Sequence, residues 1–196
     1  MYLVYEKETK EALIIDAGGG LQYVMREIRK EALKPKFILL THGHFDHVFE
    51  VTDFRKTLKV EAYIHRKDLW TLEMLWDSGL SMFGLKMPKP IINKSFEDEP
   101  LFMLGSQSIR VIHTPGHTPG GVCYFLPDSG ILFTGDTLFR GSIGRTDLPG
   151  GNSSSMRNSL KKLLSLNDDI VIYPGHGSQT TIGRERRSNP FLAELT

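Results

Sequence analysis

The sequence predicts an α/β fold in which mixed β-sheets are layered against helices. Segments with strand patterns alternate along the chain with segments of helical periodicity, and hairpin patterns occur in both halves. The chain has 196 residues, of which 40% are hydrophobic and 24% charged, a composition typical of a globular protein. We therefore expect one layered domain over residues 1–196.

The first half is predicted to open with a hairpin and then to alternate strands and helices. Strands are predicted at residues 2–5, 12–15, 37–40 and 60–64, and helices at 21–33, in a stretch that ends near 58, and at 67–75. The glycine-rich segment at residues 16–20 predicts a tight turn, because it lacks the Lys-Ser/Thr pair of a phosphate loop.

The least regular stretch is residues 76–100, which contains Gly79, Gly84, Pro88 and Pro90 and predicts a loop. A loop of this length is typical of a lid or a substrate wall. Apolar side chains in and beside it either line a pocket or pack on the core. They are Met74, Trp76, Met82, Phe83 and Met87.

The second half is predicted to be mainly β-structure with two helices. Strands are predicted at residues 101–104, 109–112, 122–126, 131–133 and 170–172, and helices at 153–164 and 181–187. In the longer helix, Met156, Leu160 and Leu163 form an apolar stripe at helical spacing.

Composition and the N-terminal sequence exclude several classes of protein. The formal net charge is +1, which gives no electrostatic reason to expect nucleic acid or an anionic membrane as partner. The N-terminus lacks the basic region and apolar core of a signal peptide, and no segment approaches about 18 apolar residues. These features predict a cytoplasmic protein that binds neither nucleic acid nor membrane, and we expect a monomer or homodimer.

Polar turns rich in His and Asp follow four of the predicted strands. The first turn, at residues 41–47, reads THGHFDH, and the others follow the strands that end at residues 112, 133 and 172. If these strands share an orientation at one sheet edge, their candidate ligands converge there. The candidate ligands are His42, His44, Asp46, His47, His117, Asp136 and His176.

Spacing within the first turn favours two metal ions. Residues i and i+2 of an extended stretch point the same way, so His42 and His44 can bind one ion. The following turn directs Asp46 and His47 toward a second ion. Imidazole and carboxylate without thiolate suit Zn, Fe, Mn or Co rather than Ca or Mg. The alternative, a set of unrelated polar residues, requires three His and an Asp to fall within six residues by chance.

Three other reactive side chains are predicted to be structural. Cys123, the only cysteine, lies in a strand-like run and predicts a buried, inert thiol. His65 has no neighbouring ligand and predicts a surface or packing residue. His113 lies four residues before His117, where support of a ligand is the alternative to plain packing.

The pattern H-x-H-x-D-H, followed by a later His, an Asp and a final His, resembles the signature of the metallo-β-lactamase superfamily. Further motifs make the chain similar to the glyoxalase II-like hydrolases, or hydroxyacylglutathione hydrolases. These are LFTGDTLF at residues 132–139, GSIGRTD at 141–147, and YPGHG at 173–177 with TTIG at 180–183. The resemblance covers essentially the whole chain and implies an αβ/βα sandwich of two mixed β-sheets flanked by helices, with the site at one edge.

The resemblance also implies how the ligands are shared. One ion would lie on His42, His44 and His117, a second on Asp46, His47 and His176, and Asp136 would bridge them. Two divalent ions are implied, with zinc favoured over iron or manganese.

The implied activity is hydrolysis of a small-molecule thioester, such as S-lactoylglutathione, through a metal-bound hydroxide. Asp46 and Asp136 would have catalytic roles. Arg145 is a candidate for binding a substrate carboxylate, with a structural ion pair as the alternative.

The chain departs from the family pattern at both ends, and other activities stay open. Full-length glyoxalase II enzymes carry a C-terminal helical domain that binds glutathione, and we expect none here. The first strand of the family fold is also expected to be missing. A persulfide dioxygenase would use a single iron on His42, His117 and Asp136, and other esters, lactones or phosphoesters are alternative substrates. A non-catalytic metal-binding module is disfavoured because such a site would be closed.

Overall fold

A computed structural model of the chain describes residues 1–81 and 84–195. Two stacked β-sheets form its centre, and helices cover the outer face of each sheet. This is the αβ/βα sandwich that the resemblance implies.

The first sheet has five strands, which lie side by side in the order of the sequence. They are β1 (Tyr2–Tyr5), β2 (Glu11–Ile15), β3 (Lys34–Leu39), β4 (Glu61–His65) and β5 (Lys94–Phe96). Strand β1 is antiparallel to β2, and the remaining pairs are parallel. The helices of this half are α1 (Leu21–Glu31), α2 (Phe45–Val48), α3 (Val51–Leu58) and α4 (Asp68–Ser81).

The second sheet is mixed and has six strands. Its members are β6 (Leu101–Leu104), β7 (Gln107–His113), β8 (Val122–Leu126), β9 (Ile131–Gly135), β12 (Val171–Pro174) and β13 (Thr180–Thr181). A small hairpin joins β10 (Leu138–Phe139) to β11 (Ser142–Ile143), and the helices are α5 (Ser153–Leu164) and α6 (Ile182–Ser188). None of the described helices has the length and hydrophobicity that a membrane span requires.

Alternation of side chains along the strands builds three apolar layers. In the first sheet Ile14 and Ile38 face the helices, whereas Leu13 and Leu39 face the second sheet. Because successive strand residues point to opposite faces, an unbroken apolar run is buried on both sides. On the outer face of the second sheet, the predicted stripe of α5 joins a separate apolar cluster. The two sheets are therefore held face to face by a continuous core.

The end at residue 75 that is predicted for the helix at residues 67–75 is wrong, because the observed helix, α4, continues to Ser81. Trp76 and Leu80 lie one turn apart, and each is only 1% exposed, so burial of both extends the helix. Gly79 fits within it because a Cβ there would lie 2.5 Å from the ring of Phe45. The predicted loop also contains strand β5.

The apolar side chains assigned to this stretch have different environments. Trp76 packs in the core on the helix side of the first sheet, as one of the two alternatives predicts. Met74 and Met87 are 57% and 40% exposed. Met82 and Phe83 lie outside the described residues.

Candidate metal centre

The four polar turns meet between the two sheets. Strands β7, β9 and β12 run in the same direction in the second sheet, whereas β3 belongs to the first. The condition under which convergence was predicted, that all four strands end at the edge of one sheet, is therefore not met. Convergence arises because the stacked sheets adjoin at these ends, where the Val122 N–H donates to the Thr41 carbonyl at 2.9 Å.

One cluster contains three buried imidazoles, those of His42, His44 and His117. One nitrogen from each lies within 4.8 Å of the others, and the residues are 2%, 8% and 6% exposed. Among the described residues, the Nε2 atoms of all three have no hydrogen-bond partner. The Nδ1 atom of His42 is hydrogen-bonded to the Thr41 hydroxyl at 3.1 Å, and the Nδ1 atom of His117 to the Arg145 carbonyl at 2.8 Å. Buried polar atoms normally have a hydrogen-bond partner, so three converging nitrogens without one fit a metal ion.

Burial also keeps two of these imidazoles, those of His42 and His44, neutral. Burial is the largest of the causes that lower the pKa of His42 well below its usual value and the pKa of His44 to about 3. Nearby imidazoles lower both pKa values further. Neutral imidazole is the form that ligates a metal, so His42 and His44 need no proton removed at neutral pH.

A second cluster contains Asp46, His47 and His176, and its ligand atoms also lie within 4.8 Å of one another. It is more open, because the side chains of Asp46 and His176 are 37% and 58% exposed. The His176 Nε2 lies 3.1 Å from Asp46 Oδ2 and 3.3 Å from His47 Nε2. Burial lowers the pKa of His47, but Asp16 and Asp136 outweigh it and raise the value to about 10.

Asp136 lies between the two clusters. Its carboxylate is 3.5 Å from His117 Nε2 on one side, and 3.4 Å from His47 Nε2 and 3.6 Å from His176 Nε2 on the other. Burial raises the pKa of Asp136, but the His47 contact and the charges on the neighbouring imidazoles outweigh it, and the pKa is lowered. All seven predicted ligands are therefore brought together, and Asp136 adjoins both groups.

Two buried carboxylates that sequence reasoning missed support the ligand turns. Asp16 accepts hydrogen bonds from the Thr41 N–H at 2.7 Å, the Thr41 hydroxyl at 2.8 Å and His47 Nδ1 at 2.8 Å. Asp68 is the second, on α4, and burial raises its pKa to about 6 despite four hydrogen bonds that lower it. Neither residue can be recognised from its spacing in the sequence. Asp16 precedes a glycine-rich turn and Asp68 lies in the first turn of a helix, so both look like ordinary turn and cap residues.

A cavity of about 280 Å³ lies over the clusters. Its floor includes His44, Asp46, His117 and Asp136, and its wall includes Leu75 and Gly79 of α4, together with Phe45 and Leu148. The polar floor and largely apolar wall are typical of a small-molecule site. Helix α4 therefore forms one wall of the cavity, and Ser78 and Gly79 on that wall belong to the stretch predicted as a loop.

The remaining sequence candidates have defined environments. Arg145 lines the cavity, while its Nε and Nη2 both donate to Asp147 at 2.7 Å. The rings of His65 and His113 stack at 4.4 Å, and their Nε2 atoms are hydrogen-bonded to backbone carbonyls. Cys123 is buried, and burial raises the pKa of its thiol to about 11, which fits an inert core residue.

Comparisons with known proteins agree with this fold. The sequence profile described as the metallo-beta-lactamase superfamily matches residues 1–176, so the chain belongs to that superfamily and is a metallo-hydrolase. It is 40% identical over 196 residues to hydroxyacylglutathione hydrolase GloC of Haemophilus influenzae, with 97% of this chain and 91% of that protein covered.

Solved structures are similar over nearly the whole chain. The BLEG-1 B3 metallo-beta-lactamase has a TM-score of 0.89 at 38% identity, covering 97% of this chain and 92% of that one. A di-iron-bound form of TTHA1623 has a TM-score of 0.86 at 40% identity, covering 97% and 93%. The resemblance to the glyoxalase II-like hydrolases is thus confirmed.

Proposed function

We propose that this chain hydrolyses glutathione thioesters of the S-lactoylglutathione type. The observation that carries the proposal is the meeting of two ligand clusters at Asp136 beneath a cavity of small-molecule size. The relative named as a hydroxyacylglutathione hydrolase supports the thioester as substrate.

Each cluster would hold one divalent cation. The first would lie on His42, His44 and His117, where the Nε2 atoms are unpaired among the described residues. The second would lie on Asp46, His47 and His176, with Asp136 shared. We propose zinc, with iron and manganese as the alternatives, since imidazole and carboxylate suit all three. Two such cations would acidify a shared water toward a pKa near ~7 and polarise the substrate carbonyl.

Side chains around the cavity would position the reactants. Asp46 is partly exposed and lines the cavity, so its carboxylate can accept a hydrogen bond from the attacking water and orient it. Asp147 holds two nitrogens of Arg145, which leaves Nη1 to bind a substrate carboxylate. The departing thiol has a pKa near ~8.5, so its thiolate leaves without a strong general acid.

The test combines metal analysis with a substrate panel. We expect about two ions per chain and thiol release from S-lactoylglutathione that exceeds turnover of a lactone, a phosphodiester and a persulfide. His44→Ala should lose metal and turnover together, whereas His113→Ala, at a histidine outside both clusters, should keep them. Full turnover of His44→Ala without metal loss would contradict the proposal, as would one iron per chain with oxygen uptake on the persulfide.

Hydrolysis of a β-lactam is the second candidate. The similarity to the BLEG-1 B3 metallo-beta-lactamase, at a TM-score of 0.89 and 38% identity, supports β-lactam hydrolysis as a candidate activity. A β-lactam added to the same panel decides between the two: preferential opening of the lactam ring would replace the thioester as the assigned substrate.

A further inference from the structure

Asp68 is a buried carboxylate at the start of α4 that receives four hydrogen bonds. The residue is fully buried. Its Oδ2 accepts from the Gly43 N–H at 2.7 Å and the Thr118 hydroxyl at 2.8 Å, and its Oδ1 from the Gly120 N–H at 2.6 Å and the Thr71 hydroxyl at 3.3 Å. A buried carboxylate is tolerated when it is this fully paired.

Three of these donors lie in the turns that carry the first cluster. Gly43 stands between His42 and His44 at the end of β3, and Thr118 directly follows His117 at the end of β7. These strands belong to different sheets. One carboxylate therefore joins the two backbone turns whose separation sets the spacing of the three imidazoles.

The contact leaves no room for a side chain at either glycine. A Cβ on Gly43 would lie 2.5 Å from the Asp68 carbonyl oxygen, and a Cβ on Gly120 would lie 2.7 Å from Asp68 Oδ1. Both turns thus lie directly against Asp68, and a shift of the carboxylate would move their backbones. Its four hydrogen bonds do not involve Asp46, His47 or His176.

We propose that Asp68 is a positioning residue that holds His42, His44 and His117 at coordination spacing across the two sheets. The inference rests on the proposed metal centre. It assigns Asp68 to one cluster, so its loss should weaken binding of one ion rather than both. Partners that orient ligands from behind typically contribute about 10–100-fold in metal affinity.

The test is a titration of metal-stripped full-length protein with Zn²⁺, and with Co²⁺ to follow its visible spectrum. In Asp68→Asn one oxygen becomes an amide N–H group, which cannot accept from a glycine N–H. We expect one of the two ions to bind about 10-fold or more weakly, with an altered Co²⁺ spectrum, and the other to bind as in wild type.

Glu185→Gln is the matched control for loss of a buried carboxylate. Glu185 is fully buried and accepts from the Thr180 hydroxyl at 2.5 Å, the Gly141 N–H at 2.7 Å and the Asn189 side chain at 2.9 Å. None of these donors lies in the turns that carry His42, His44 and His117. This variant should lower the melting temperature and leave both metal affinities unchanged. If Asp68→Asn behaves like Glu185→Gln, Asp68 only stabilises the fold and the inference is overturned.

A second pair of variants decides the question even if Asp68→Asn does not fold. Thr118→Val removes one donor to Asp68, and Thr118→Ser retains the hydroxyl. Weaker binding of one ion in the valine variant than in the serine variant supports the inference, and equal affinities overturn it. A wild-type chain that binds no ion contradicts the proposed function itself, which separates that failure from this one.

Discussion

The two halves of the molecule contribute to the metal centre in different ways. The first half supplies His42, His44, Asp46 and His47 from one short stretch after β3, and the second half supplies single residues from three separate strand ends. Each cluster combines two side chains of the first half with one of the second. Neither half alone holds three ligands for either ion, so the candidate centre joins the two halves.

The largest expected effect comes from the residue that adjoins both clusters. Asp136→Ala should weaken binding of both ions and lower kcat by about 10³-fold, since several kcal/mol of stabilisation depend on the metal pair. Metal analysis and thiol-release kinetics measure the two effects. Asp128→Ala, at an exposed acid in a turn of the same half, is the control. Retention of both ions by Asp136→Ala would show that the two clusters are independent.

Metal removal should loosen the junction between the halves. An ion present at about 1,000 times its Kd stabilises the folded state by about 4 kcal/mol, which corresponds to roughly 10 °C in melting temperature for a chain of this size. Thermal unfolding with and without a chelator measures the difference. An unchanged melting temperature after verified metal loss would mean that the core alone holds the halves together.

A smaller effect is expected from the carboxylate behind His47. Asp16→Asn weakens the charged hydrogen bond to His47 Nδ1, which is 2.8 Å long, and should weaken binding of the second ion by about 10-fold. Competition with a fluorescent zinc chelator gives the affinity. Unaltered binding of both ions would show that the position of His47 is set by α2 rather than by Asp16.

The smallest effect concerns a contact between the halves that involves no ligand side chain. Tyr124 donates its hydroxyl to the Leu40 carbonyl at 2.8 Å and is fully buried. Tyr124→Phe should cost about 1 kcal/mol, or about 3 °C in melting temperature, with metal content unchanged. Loss of an ion from this variant would contradict the view that the ligands, and not this hydrogen bond, set the metal site.

The same difference between the halves explains what could be predicted from the sequence. The stretch at residues 42–47 is a local pattern, so its ligands are visible without knowledge of the fold. His117, Asp136 and His176 could be named because each follows an apolar strand in a turn. Their assignment as ligands stays a prediction, although the structure brings all seven side chains together.

Features that depend on contacts distant in sequence could not be predicted. The extension of α4 to Ser81 depends on burial of Trp76 and Leu80, and no local signal overrides the glycine at position 79. The assignment of β3 to a different sheet from β7 depends on how the halves pack. Asp16 and Asp68 act through partners 25 to 52 positions away, which a pattern of neighbouring residues cannot reveal.

The origin of each cluster in both halves also sets the order in which its ligands are synthesised. The chain emerges from its N-terminus, so all ligands of the first cluster are present once position 117 has been added, whereas the second cluster requires position 176. A nascent chain that ends before β12 therefore carries every ligand of the first cluster but lacks one ligand of the second.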